Sequence, residues 1–114
     1  MNTTFLRGRL SSPPRTLELP SGDAALALEL TIRDGEAPAE SVPVTWFAAS
    51  KAAAGWEAGQ ELIVIGRVRR RFFRAGGRTA SRTEVLAATV IPAERKADAR
   101  RRLDRAVAEV TAGL

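Results

Sequence analysis

Residues 61 to 73, ELIVIGRVRRRFF, alternate between two faces with period two, and this alternation constrains the fold more than any other feature of the sequence. It is typical of a β-strand, because successive side chains of a strand point to opposite sides of the sheet. Leu62, Val64, Gly66 and Val68 fall on the face that suits a core. The other face carries Ile63, Ile65, Arg67, Arg69, Arg71 and Phe73. We therefore predict one long strand with a buried face and a basic face.

Four shorter segments have the same period and predict the remaining strands. They are residues 4–10, 26–33, 44–49 and 83–91. Residues rich in Pro, Gly and Ser fill the stretch between the first two strands, and we predict turns there. Residues 34–43 are expected to form an exposed loop, and residues 74–82 a loop rich in Gly and Arg.

A short helix is predicted between the third and fourth strands. Ser50 can cap it, three alanines follow, and Gly59 can end it, with Trp56 packing inward as an apolar plug. The order strand, strand, strand, short helix, strand, strand suits a closed barrel. We therefore expect the all-β class and a five-stranded OB-fold barrel over residues 1–92.

The last segment, residues 93–114, is predicted to form an added amphipathic C-terminal helix. Pro92 suits a first helical turn and Gly113 a helix end. Apolar residues recur at helical spacing at Leu103, Val107, Val110 and Leu114. Because an isolated helix of this length is marginal in water, we expect it to dock on the barrel or on a partner subunit.

The composition excludes several classes of function. The chain contains no cysteine and no histidine, so disulfides, thiolate or imidazole metal sites and a histidine-activated nucleophile are excluded. We expect no catalytic residues, no enzyme activity, no cofactor and no metal. No apolar run approaches the ~20 residues that span a bilayer, and no signal peptide is recognisable at the start. We expect a soluble cytoplasmic protein that does not enter a membrane.

Arginine supplies nearly all of the positive charge, and the net charge of the chain is +5. Seven arginines and no acidic residue lie between residues 67 and 82. Alternate residues of a strand lie about 6.6–7 Å apart, a spacing that resembles the phosphate spacing of an extended single strand. This row favours single-stranded nucleic acid as the ligand over the alternative, a solvated strand whose charges prevent edge pairing.

The candidate binding residues extend beyond this row. On the first strand, Phe5, Arg7 and Arg9 share the outward parity of the row and would join it if the two strands are neighbours. The full candidate set is Phe5, Arg7, Arg9, Arg33, Arg67, Arg69, Arg71, Phe73, Arg74, Arg78 and Arg82. Phe72 has inward parity and is expected to pack in the interior. Of the adjacent Trp46 and Phe47, one must point inward, and the sequence leaves open which.

The chain resembles the bacterial single-stranded DNA-binding protein family over roughly residues 2 to 91. The matching features, in order, are Asn2, Gly8-Arg9-Leu10, Ser21-Gly22, Ser50-Lys51, Gly59, Gly66, the basic run that ends at Phe73, and Thr83-Glu84-Val85. The resemblance implies an OB fold, a homo-oligomer (tetramer or dimer), and sequence-tolerant binding of single-stranded DNA in replication, recombination or repair. It also implies that Phe73 stacks on a base and that Arg9 and the arginine row lie near phosphates.

The chain departs from the family at several positions. Ala49, Pro43 and Ala80 or Ser81 stand where the family has aromatic residues, and a basic segment replaces the acidic tail that recruits partner enzymes. These departures leave two alternatives open. One is an oligomerising OB-fold module for protein contacts, similar to primosomal paralogs, with weak or no DNA binding. The other is an OB-fold protein that prefers RNA.

Overall fold

A computed structural model describes all residues from 1 to 114, and the chain is mostly β. Six strands precede a single α-helix. The strands are β1 (Thr4–Leu10), β2 (Arg15–Glu18), β3 (Ala24–Ile32), β4 (Glu40–Trp46), β5 (Glu61–Ala75) and β6 (Arg78–Pro92), and the helix is α1 (Lys96–Thr111).

The strands form one sheet that closes into a ring. The sheet order is β1-β5-β6-β4-β3-β2, and β1 also pairs with β3. The first strand therefore closes the ring by pairing with β5 on one side and with β3 on the other. β2 lies outside the ring and pairs only with β3. Only the contact between β4 and β6 is parallel, at Val44–Val85 and Thr45–Leu86. Closure leaves few unpaired edges around the core.

The core fills the inside of the ring and consists of the inward-pointing side chains, which alternate with outward-pointing ones along each strand. Leu28, Leu30, Val44, Leu62 and Val64 are its largest fully buried side chains. The predicted inward parity of β3 and of the first half of β5 is thereby confirmed. At one end, the rings of Trp46 and Trp56 stack with their centroids 5.9 Å apart, so Trp56 covers the core as the sequence predicted.

The predicted short helix between the third and fourth strands is not formed; one 3₁₀ turn, Lys51–Gly55, takes its place. Ser50 makes no side-chain cap, and the backbone becomes extended again at Trp56. Five residues that end in glycine are too few for an α-helix, whose first turns leave most backbone groups unpaired. The packing of Trp56 against Trp46 therefore outweighs the helix propensity of the three alanines.

The strand predictions need three corrections. Residues 15–18, predicted as part of a turn, pair with Ala24–Ala27 and form β2, so there are six strands and not five. Residues 40–43 were expected in a loop but belong to β4, because the C-terminal half of β3, residues 29–32, pairs with them. The third strand accordingly ends at Trp46 and not at residue 49.

The predicted loop at residues 74–82 is also wrong, because β5 and β6 continue through it as a hairpin. Ala75 pairs with Arg78, and only Gly76 and Gly77 lie between them, at φ +57° and +78°. Two positive φ angles make the turn whose twist matches that of antiparallel strands, and glycine adopts them without a steric cost. The hairpin extends beyond the ring, since β1 pairs with β5 only as far as Gly66.

Helix α1 packs against the outer face of β5 and β6. Its range is shorter than the predicted residues 93–114, and Pro92 ends β6 rather than opening the helix. Ala99 is buried and Leu103, Ala106 and Val110 are half-buried, whereas Val107 and Leu114 of the predicted apolar stripe are exposed. The helix lacks the length and apolar character that crossing a membrane requires.

The first turn of α1 is held by Asp98, whose carboxylate accepts hydrogen bonds from Arg101 and Arg102. Desolvation raises the pKa of Asp98, but hydrogen bonds from these arginines and their charges outweigh it. The pKa therefore lies below the ordinary value of 3.8. A negative charge in the first turn also interacts favourably with the helix dipole. Asp98 therefore keeps two arginines on one flank of the helix.

A substitution at Gly66 tests the close approach of β5 and β6. A Cβ there would lie 2.2 Å from the carbonyl oxygen of Leu86 and 2.9 Å from the Cα of Ala87, and both of these are backbone atoms. We expect Gly66→Ala to lower the free energy of unfolding by about 3 kcal/mol in urea denaturation, because the backbone must move.

Gly55→Ala is the matched control, since nothing lies within 4 Å of its added Cβ. It should leave stability unchanged or raise it by up to about 1 kcal/mol. Equal stabilities of the two variants would contradict the close approach.

Candidate functional site

A groove of about 480 Å³ lies on the outer face of the sheet, between the β2 hairpin and strands β3, β4, β5 and β6. We call it the arginine groove, and its functional side chains are Glu29, Phe47, Arg69, Arg71, Arg82 and Glu84. Arg69 and Arg71 come from β5, Arg82 and Glu84 from β6, Glu29 from β3, and Phe47 follows β4. Side chains from β3, β5 and β6 and from the residue after β4 thus meet in one concave surface.

Glu84 organises the centre of the groove. It is only 4% exposed, and it lies directly opposite Arg69 in the pairing of β5 with β6. Its Oε1 atom accepts a hydrogen bond from Arg69 Nε at 2.9 Å and lies 3.7 Å from Arg71 Nε. Its Oε2 atom accepts a hydrogen bond from the hydroxyl of Thr45 at 3.1 Å. One buried carboxylate therefore fixes the positions of two guanidinium groups.

Glu29 plays the same part for Arg82 at the rim. Its Oε1 atom accepts a hydrogen bond from Arg82 Nη2 at 2.8 Å, and Oε2 accepts one from Ser41 at 3.0 Å. Arg82 is directly opposite Arg71 across the hairpin, and like charges in that position repel one another. The two carboxylates offset this repulsion, so that three arginines can face one groove.

Two phenylalanine rings flank these arginines. The Cζ atom of Arg69 lies 5.9 Å from the ring centroid of Phe47, and that of Arg71 lies 5.7 Å from the centroid of Phe73. Both distances are within cation–π range. The rings are 44% and 40% exposed. A planar ligand can therefore reach the rings from solvent, and an anion can reach the guanidinium groups beside them.

The rest of the predicted arginine row lies outside this groove. Arg67 has the same outward parity as Arg69 but is placed near the C-terminal half of α1. Arg74 donates to the carbonyl oxygen of Gly77 at 3.0 Å at the hairpin tip, and Arg78 is exposed beside it. The row therefore runs from the helix, through the groove, to the hairpin tip.

The candidate residues on the first strand form a separate group. β1 is the neighbour of β5, as the prediction required, but it pairs with the opposite end of that strand. Arg7 and Arg9 lie 3.0 and 3.8 Å from the carboxylate of Glu61. Glu61 precedes Arg69 by eight residues, or about 26 Å of extended strand. Phe5 faces Ile65 on this same side, and Arg33 is exposed beyond the end of β3.

Phe72 does not pack in the interior, contrary to the prediction; it is 67% exposed. Its parity points to the inner side of the sheet, but β5 has left the ring at that position, so no core lies beneath it. Phe47, which the sequence left undecided, is the outward member of its pair, and Trp46 is buried. All four phenylalanines are thus at least 40% exposed, whereas Trp46 belongs to the core and Trp56 packs against it.

Sequence reasoning missed Phe47, Glu29 and Glu84 as parts of the site. For Glu84 a signal was present, because an acidic residue on a strand next to a run of arginines indicates a cross-strand ion pair. The pairing register was needed to show which arginine it meets. Glu29 approaches Arg82 across 53 residues of sequence, and no local pattern indicates this contact.

Neither a family model nor a curated protein matches this chain. No group of three or more acidic side chains is placed to hold a metal ion. The exposed guanidinium groups and rings can bind a ligand that carries both negative charge and flat apolar surfaces.

Removing the charge of Glu84 tests its role. We expect Glu84→Gln to lower the free energy of unfolding by about 2 kcal/mol, because charge-assisted hydrogen bonds to Arg69 and Thr45 become weaker neutral ones. Urea denaturation measures the change.

Glu29→Gln is the control, since Glu29 makes a similar arginine contact with 40% of its side chain exposed. Its cost should stay below about 1 kcal/mol. Equal costs at the two positions would show that Glu84 does not organise the groove.

Proposed function

We propose that this chain is an OB-fold protein that binds single-stranded DNA in the arginine groove, without strong base preference. Five strands form the ring, and the groove lies over β3 and β4, the second and third of them. The segment with β2 and the β5–β6 hairpin border it. OB folds bind oligonucleotides on the corresponding face, between the corresponding two loops.

The observation that carries the proposal is the pairing of exposed arginines with exposed rings. The side chains of Arg71 and Arg82 are 52% and 44% exposed, and their carboxylate partners leave guanidinium N–H groups free for phosphate oxygens. Phe47 and Phe73 supply flat surfaces a few ångströms away. Charge for the backbone and rings for the bases are the two elements of sequence-tolerant strand binding.

The carboxylates of the groove support binding of moderate strength. Each phosphate must compete with Glu84 or Glu29 for an arginine, so part of the electrostatic gain is offset. Arginines that are already oriented lose less side-chain entropy when a phosphate arrives. We therefore expect an affinity that depends strongly on salt, because counterion release dominates phosphate contacts.

Fluorescence anisotropy of a labelled oligo-dT, measured as salt is raised, tests the proposal. Binding should be tight at low salt and weaken with a slope of about −0.7 in log K against log[salt] for each phosphate bound. We expect Phe47→Ala to weaken binding about tenfold, because stacking on one base is worth about 1–3 kcal/mol.

Phe5→Ala is the matched control, since Phe5 is 41% exposed but lies outside the groove. It should leave the affinity unchanged. Absence of binding by the wild-type protein at low salt, or binding that salt does not affect, would refute the proposed function. Competition with oligo-U in the same assay separates DNA from RNA preference.

The inner side of the hairpin supports a second proposal, homo-oligomer formation. Phe72 and Val68 expose 67% and 41% of their surface there, outside the arginine groove. The outer edge of β5 is also open beyond Val68, whose backbone N–H and carbonyl groups are hydrogen-bonded to the side chain of Asn2. An apolar side chain beside an open strand edge is suited to contact a second chain.

Sedimentation of the wild-type chain and of Phe72→Ser tests this second proposal. We expect a dimer or tetramer that dissociates in the variant, because the substitution removes the exposed ring. Phe5→Ala, which removes a ring of smaller exposure elsewhere, should not change the mass. A wild-type protein that remains monomeric at high concentration would contradict oligomer formation.

A further inference from the structure

One flank of α1 presents a second group of arginines. Arg101, Arg102 and Arg105 line a depression of about 260 Å³ between the helix and strand β6, where they face Ala88 and Thr89. All three arginines are exposed, and Glu109 is the one acidic residue in this lining. Asp98 orients Arg101 and Arg102, while Arg105 makes no ion pair.

Arg67 lies on β5 between Arg69 of the arginine groove and this depression. A neighbouring depression of about 300 Å³ contains Arg67 and shares Ala88, Ala106 and Glu109 with the first. Arg67 precedes Arg69 by two residues on the same face of β5, a step of about 6.6–7 Å. A band of positive charge thus runs from Arg71 along β5 to the flank of the helix.

Small residues make up much of the floor of this connection. Gly66, Ala87, Ala88 and Ala106 line it beside the larger Ile65 and Leu86, and Ile65 is buried. Ala88 is the extra residue at the irregularity where β6 shifts its register against β5. Side chains of this size leave the surface open between Arg67 and Arg105. An extended polyanion that passes from Arg67 to Arg105 therefore crosses a mostly small and apolar surface, with Glu109 as its one acidic side chain.

We propose that α1 is part of the binding surface, and that Arg102 and Arg105 contact phosphates of the same strand after it leaves the arginine groove past Arg67. This inference rests on the proposed function and extends it, because it makes the bound length of the strand depend on the helix. The other flank of α1 faces β1, where Lys96 and Arg100 lie with Arg7 and Arg9 among Glu61, Glu94 and Asp104. That flank has no connection to the groove through Arg67.

The test compares two double variants against two strand lengths by anisotropy. Arg102→Gln with Arg105→Gln alters the proposed contact. Lys96→Gln with Arg100→Gln is the control, since it removes the same charge from the other flank of the same helix, and none of its residues is ion-paired. The strands are oligo-dT of about 8 and about 25 nucleotides, within and beyond the length that one such domain covers.

We expect the first double variant to bind the long strand roughly three- to tenfold more weakly, with a salt slope that is smaller by about 1.4. Its affinity for the short strand should not change, and the control variant should match the wild type with both strands. Circular dichroism confirms that α1 remains folded in both.

Equal losses for both strand lengths, or equal losses in both variants, would overturn the role of the helix and leave the proposed function intact. A wild-type protein that binds neither strand would overturn the proposed function itself. The two failures are therefore distinguishable.

Discussion

The length of β5 is the constraint on which the rest of the structure depends. Its first six residues close the ring against β1, with Leu62 and Val64 in the core. Its remaining nine extend beyond β1 and carry the arginines outward. The two halves share one backbone and one twist, so the packing of the apolar half sets the direction of the basic half. Gly66 lies at the boundary, where a side chain would separate β5 from β6.

The basic half is ordered because acidic residues from other strands meet it. A row of arginines alone would repel itself and remain mobile. Glu84 draws Arg69 and Arg71 together from inside the sheet, and Glu29 holds Arg82 at the rim. Burial of Glu84 makes its contacts stronger than those of a surface ion pair, because water screens them less. A phosphate that enters the groove finds guanidinium groups already oriented, but it must compete with these carboxylates for them.

Local patterns predicted what depends on local chemistry. The period of β5 placed Leu62 and Val64 in the core and Arg69 and Arg71 on the opposite face, and the structure agrees. The sequence could not predict where β5 leaves the ring, since this depends on the length of β1. Phe72 was for this reason assigned to a core that ends before it. The contact of Glu29 with Arg82 was hidden because it joins residues 53 positions apart, and the partner of Glu84 could not be chosen without the register of the β5–β6 hairpin. The 3₁₀ turn was missed because it depends on the tertiary stacking of Trp46 and Trp56.

Nuclear magnetic resonance of the arginine side chains can test whether a single strand occupies the arginine groove, as we propose. Oligo-dT is added to ¹⁵N-labelled protein while the Nε–Hε signals are followed. We expect large shifts for Arg69, Arg71 and Arg82, and none for Arg7 and Arg9, whose partners Ile63 and Glu61 lie about 20 and 26 Å along β5 from Arg69. Shifts centred on Arg7 and Arg9, or spread evenly over all arginines, would contradict a strand bound in this groove.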